Sequence, residues 1–226
     1  MQALTQSDSS ATVVSIDGVG AFDNIRRRSM LDGLANLPRS SAMLPFVRMF
    51  YGDRSEYLWY DDDGQEHSVW QGEGGEQGDP LMPALYSLGQ HPALQAVQEL
   101  LQDDEYLLAF LDDVYFVCQP ERVQVLFAAV SEALAVQAGV QVNHGKTRVW
   151  NAAGIAPPGV EHLGDGKAWV GDHAVPTHAQ GLKSCWGRRW AMQTSWPRSC
   201  LRCAKAMTCF CADFRACQIC SRPGCC

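Results

Sequence analysis

Three shortages bound what this chain can be. Positive charge is scarce: 18 Lys and Arg stand against 25 Asp and Glu, a formal net charge of -7. Phosphate contacts are made by Lys and Arg, so any surface that holds nucleic acid must be a local concentration of cations. Long apolar runs are missing: no stretch of about 18 apolar residues is available to cross a bilayer. Residues 1–11 form a polar stub rather than a signal peptide. The chain therefore reads as soluble and intracellular, with nucleus and cytoplasm equally open. Cysteine is nearly absent from the first 184 residues, where Cys118 stands alone, yet nine more cysteines crowd between Cys185 and Cys226. No internal repeat is evident.

What is present is ordinary in bulk. A chain of 226 residues, 46% hydrophobic and 19% charged, suits one sizeable domain or two small ones. The β-branched run Thr12 to Ile16 predicts a strand ending at Asp17. Asp23 predicts the cap of a helix carrying Ile25, Met30, Leu31, Leu34 and Leu37 at near-helical spacing. Glu56 to Val69, rich in Tyr and Trp around Asp61-Asp62-Asp63-Gly64, predicts a hairpin whose acids serve a turn rather than a metal. A glycine-rich loop, Gly72 to Gly78, leads to Asp79-Pro80, a capping residue and a first-turn proline for a helix expected to reach Leu101. Tyr106 to Phe110 and Val114 to Cys118 are apolar runs flanking Leu111-Asp112-Asp113, the pattern of a tight hairpin with acids at its tip. A helix from about Glu121 to Ala138, a short strand from Gly139 to Asn143, and a hairpin over Ala168 to Val175 complete the pattern. This order of hairpins and helices predicts an α+β fold with a largely antiparallel sheet and packed helices.

Asp17 and the pair Asp112-Asp113 each stand at the end of an apolar strand, a costly place for a charge unless it faces a cleft or meets a cation. Carboxylates from separate strands are what two-metal phosphoryl or nucleotidyl transfer requires. Taken alone, an Asp-Asp pair at a hairpin tip is more often a plain turn than a site.

The surrounding residues resolve that choice by resemblance. Ser15-Ile16-Asp17-Gly18-Val19-Gly20-Ala21-Phe22-Asp23 resembles the first palm motif of reverse transcriptases, and Gly75-Glu76-Gln77-Gly78-Asp79-Pro80-Leu81-Met82-Pro83 resembles the second. Ala109-Phe110-Leu111-Asp112-Asp113 resembles the third, and Asn143-His144-Gly145-Lys146-Thr147 the fourth. Four motifs in order over about 130 residues are far more specific than any one alone, and they are most similar to non-LTR retrotransposon and group II intron enzymes. The resemblance implies a polymerase palm over residues 12–183 that performs RNA-directed DNA synthesis. It implies two Mg²⁺ ions, or Mn²⁺, with a primed RNA or DNA template and dNTPs as partners.

Position by position, Asp17 and Asp112 would be the essential metal ligands, with Asp113 in support. Phe22 would lie beneath the sugar of the incoming nucleotide and exclude a 2′-OH; its plain alternative is a core phenylalanine. Gln77 and Gly78 would touch template and nucleotide. Asp79 departs from the small or Cys residue expected there and fits a helix cap instead. Lys146 would approach the triphosphate and protonate pyrophosphate, its alternative being a surface lysine. Sixteen residues precede Asp17, too few for the fingers that supply cations to the triphosphate. Fingers and thumb are therefore expected to be incomplete, and activity weak or lost.

Residues 184–226 hold two Cys-x-x-Cys pairs, Cys200 with Cys203 and Cys217 with Cys220, separated by 13 residues, close to a zinc-ribbon pattern. A zinc-binding, nucleic-acid-interacting protein is thus one alternative function, and an inactive retroelement remnant is the other. Five other cysteines in the same stretch and a missing apolar period argue against it. Shifted by one reading frame, Cys185 to Trp190 is compatible with Leu-Gly-Thr-Pro-Leu-Gly, which continues Gln180-Gly181-Leu182 naturally. Each cysteine then becomes the tail of a Leu, Met or Val codon. An insertion or deletion near Lys183 or Ser184 is therefore expected, leaving an out-of-frame and disordered tail.

Overall fold

The computed structural model describes residues 8–171; the zinc and frame-shift readings of the tail lie outside the described residues. Its centre is a four-stranded antiparallel sheet in the order β4-β5-β1-β6, formed by β1 (Thr12–Ile16), β4 (Tyr106–Phe110), β5 (Asp113–Cys118) and β6 (Arg148–Asn151). β1 lies between β5 and β6, and four of its five residues are buried. Such burial from both faces explains why its sequence is a β-branched run rather than an alternation of apolar and polar residues.

One face of the sheet presents Val14, Ile16, Leu107, Val114, Phe116 and Val149 to two helices. These are α4 (Met82–Gln98), through Ala93 and Val97, and α5 (Val123–Ala133), through Val123, Leu126, Phe127 and Val130. Alternation along the strands turns Ser15, Tyr115 and Arg148 to the opposite face, where Ser15 pairs with both Tyr115 and Arg148. Cys118, the free cysteine of the described residues, is buried, and that burial pushes its thiol up to about 12. It is therefore a packing residue rather than a nucleophile.

The segment after Asp17 departs from expectation. In place of one helix capped by Asp23 there are two, α1 (Ala21–Asn24) and α2 (Arg27–Asn36), separated by extended backbone at Ile25 and Arg26. Tertiary bonds cause the break: Ile25 is buried and gives its carbonyl to the Gly74 N–H, while the Arg26 N–H donates to Ala138. A second helix that the sequence reading did not anticipate, α3 (Leu44–Tyr51), follows a turn at Ser41–Met43.

The predicted hairpin is present as β2 (Ser55–Tyr60) and β3 (Glu66–Gln71). Asp61 accepts hydrogen bonds from the backbone of Asp63 and Gln65, as a turn residue should. The helix α4 starts at Met82 and stops at Gln98, short of both expected limits. Asp79 still caps, but it caps the turn ahead of the helix, accepting from Leu81 N–H at 2.8 Å. The expected strand at Gly139–Asn143 reduces to a single bridge between Gly18 and Val142, and the fourth strand is instead β6. Of the hairpin expected from Ala168 onward, Trp169 forms one parallel bridge with Val149, and the remainder lies beyond residue 171. Among the described residues, no helix is long and apolar enough to cross a membrane.

Candidate active site

Asp17 is the first residue after the central strand β1, and Asp113 is the first residue of its neighbour β5. The register pairs Ile16 with Val114, so the next step along both strands sets Asp17 beside Asp113. By alternation they share the face of Ser15 and Tyr115, away from the core helices. Asp112 stands in the tight turn that joins β4 to β5. Burial raises the Asp113 carboxyl above the usual carboxylate range, and the charges of Asp112 and Asp17 push it the same way. The same two charges add to burial in raising the Tyr86 phenol of α4. Asp17, Asp112, Asp113 and Tyr86 therefore share one electrostatic environment.

Lys146 enters this environment from a turn at His144–Lys146, its Nζ 2.8 Å from Asp17 Oδ2. That turn is held in place by the Asn143 N–H, which donates to the main-chain oxygen of Asp17 at 2.7 Å. The hydrogen bond to Asp17 and its charge raise the Lys146 ammonium above its ordinary range, with Asp112 adding to the effect. The ammonium thus stands where these acids call for a cation. Among the described residues, no three His, Cys, Asp or Glu side chains form a ready metal cage. The donors are nonetheless all carboxylate oxygens, which suit a hard cation such as Mg²⁺ or Mn²⁺. One of them is partly desolvated beside two like charges, so the residues fit such an ion.

Phe22, on α1, stacks on Tyr86 with ring centroids 4.7 Å apart. The glycine-rich loop is bound to this segment: the Gly75 N–H donates to Phe22 O at 3.0 Å, and the Gly74 N–H to Ile25 O at 2.7 Å. Gly74 has φ +69°, and a Cβ there would lie 2.1 Å from Asp23 O, so no other residue fits. Gln77 and Gly78 are exposed on the same loop, Gly78 with φ +99°, and no described bond links either to the carboxylates. The structure thus brings together Asp17, Asp112, Asp113 and Lys146, sets Phe22 against Tyr86, and leaves Gln77 and Gly78 on the open side of the loop.

Four residues of this region were not anticipated. Arg27, only 4% exposed, donates to Gly74 O, Asp53 O and Ser55 Oγ and lies over the Tyr51 ring, joining the loop to the base of the hairpin. Its place on the buried stripe with Met30 and Leu34 was a signal. Tyr86 and Gln90 follow Met82 at helical intervals on the buried side of α4. Tyr51 donates to Asp79 Oδ2, and its phenol is pushed up to about 12 by burial first and by Asp79 second.

An antiparallel sheet backed by helices, with carboxylates at the ends of its two central strands, defines the palm of a template-directed polymerase. The chain belongs to the reverse transcriptase (RNA-dependent DNA polymerase) family, whose model matches residues 1–180. It is 28% identical over 143 residues to the retrotransposable element SLACS 132 kDa protein of Trypanosoma brucei gambiense, covering 63% of this chain but 12% of that protein. Among solved structures, it is similar to apo telomerase from Candida tropicalis truncated from its C-terminal domain, with TM-score 0.52, 16% identity, and coverage of 66% of this chain and 33% of that one. It is also similar to the Candida tropicalis telomerase bound to a fragment of telomeric RNA, with TM-score 0.51 and 14% identity over 66% and 28% of the two chains.

Proposed function

We propose that this palm is built for RNA-directed DNA synthesis, with Asp17, Asp112 and Asp113 holding two Mg²⁺ or Mn²⁺ ions and dNTPs added to a primed template. The observation that carries the proposal is the convergence of three carboxylates at the ends of paired central strands, with Lys146 as their counterion. When bound, the ions would activate the attacking primer hydroxyl and stabilise the departing pyrophosphate. Asp17 and Asp112 are the principal ligands, and Asp113 supports them. Lys146 is exposed and long enough to leave Asp17 for the triphosphate, where its ammonium can give a proton to the departing pyrophosphate. Phe22, fixed by Tyr86, excludes the 2′-OH of a ribonucleotide. Gln77 and the open backbone at Gly78 meet template and nucleotide.

Residues 8–171 carry 10 Lys and Arg against 23 Asp and Glu. Extension by the chain is therefore expected to be slow, because cations that offset the triphosphate are a major catalytic contribution. The test is Mn²⁺ binding to the full chain, read by electron paramagnetic resonance, together with primer extension on an RNA template. Mn²⁺ binding lost in Asp112→Asn, with slow extension abolished by the same change, supports the site. Wild-type protein that binds Mn²⁺ no better than Asp112→Asn overturns it.

A further inference from the structure

The turn that carries Asp112 is unusual in its backbone. Leu111 has φ +56°, whereas Asp112 is not among the positive-φ residues, so the two-residue turn has the left-handed first position that normally belongs to glycine. A leucine there has a Cβ where none is tolerated easily, and such conformations persist only when neighbours hold them.

The neighbour is Gln90. It is 2% exposed, on the buried side of α4 one turn beyond Tyr86, and its Nε2 donates to the Leu111 carbonyl. That carbonyl belongs to the same peptide plane as the Asp112 N–H, so fixing it fixes the position from which the Asp112 side chain departs. The other end of the amide is left without a partner: among the described residues, Gln90 Oε1 is buried and accepts no hydrogen bond. A buried acceptor without a donor is a cost that an apolar side chain of the same length avoids.

We infer that Gln90 is a positioning residue, which clasps the Leu111–Asp112 peptide and so sets Asp112 for metal binding at the expense of an unsatisfied acceptor. The inference rests on the metal-site reading of Asp112 for its consequence, though not for the clasp itself.

The test uses the full chain and two readouts. In Gln90→Met, hydrogen exchange of residues 110–114 is expected to quicken, and Mn²⁺ affinity to fall about tenfold, the usual scale for losing a group that orients a ligand. Thermal stability should change little, the lost clasp and the removed orphan acceptor offsetting one another; a merely structural glutamine would lose stability without the other two changes. Adding Leu111→Gly, which removes the need for a clasp, should restore Mn²⁺ affinity. Gln90→Met that melts earlier with unchanged exchange and unchanged Mn²⁺ binding overturns the inference, as does a double variant no better than the single one. If Gln90→Met does not fold, Gln90→Leu, which also removes the donor, is read in the same way. Wild-type protein without Asp112-dependent Mn²⁺ binding defeats the metal-site reading, and the exchange readout still decides the clasp.

Discussion

At the scale of single residues, the site is organised by unfavourable charge. Asp113 has a raised carboxyl pKa because it is partly buried beside Asp112 and Asp17. A carboxylate whose folded value exceeds its unfolded one holds its proton longer in the native state, so stability falls as pH rises from the ordinary carboxylate range to the raised value. Asp113→Asn should therefore melt at the same temperature as wild type at low pH and above it near neutrality, a gap that calorimetry across pH will show. Asp17→Asn acts on Lys146 instead. With its partner neutral, the ammonium should titrate lower and react faster with an acylating reagent near pH 9, as peptide mapping can measure. The three acids were legible in the sequence because each interrupts or ends an apolar strand. The roles of Tyr86, Gln90 and Arg27 were not, because helical spacing shows only that they face inward, while their partners Phe22, Leu111, Gly74 and Asp53 are distant in the chain.

At the scale of elements, what sequence patterning missed is where tertiary bonds replace local ones. The strands from Thr12 and Tyr106 follow from β-branched and aromatic runs, and the hairpin from its Asp-Gly turn. The helix expected from Asp23 breaks because Ile25 and Arg26 find distant backbone partners. Gly139–Asn143 makes one bridge because its N–H and C=O groups are shared between Asp17, Val19 and the preceding helix. The packing of α2 on α4 depends on Gly33, where a Cβ would lie 2.6 Å from the Leu88 carbonyl. That carbonyl is four residues before Pro92, whose ring nitrogen offers it no hydrogen. Gly33→Ala should force the helices apart and cost about 1–3 kcal/mol in urea unfolding. Removing the Asp79 carboxylate, by Asp79→Ala, frees Leu81 N–H and the Tyr51 phenol together. A loss of about 2 kcal/mol is expected, with half or more of it reproduced by Tyr51→Phe if the phenol bond is the larger share.

For the molecule as a whole, charge and connectivity decide behaviour. With 10 cations against 23 acids in residues 8–171, an RNA–DNA duplex meets general repulsion. Fluorescence anisotropy should give a dissociation constant no tighter than about 10⁻⁴ M at physiological salt, the weak end of non-specific binding. Submicromolar binding would show a local cationic surface strong enough to outweigh the overall negative charge. The acidic balance was plain in the sequence, whereas the exposure of Trp59, Tyr60 and Trp70 on the hairpin, and of Phe46, Met49 and Phe50 on α3, emerged only from the fold. Connectivity has its own result. β1 is made first but is flanked on both sides by strands made last, pairing with Val114–Cys118 and Arg148–Asn151. During translation, then, the strand that ends in Asp17 leaves the ribosome before either of its two neighbours in the sheet has been made. It must wait for some hundred further residues before its first partner emerges. Until then no nascent chain can bring Asp17 and Asp113 together.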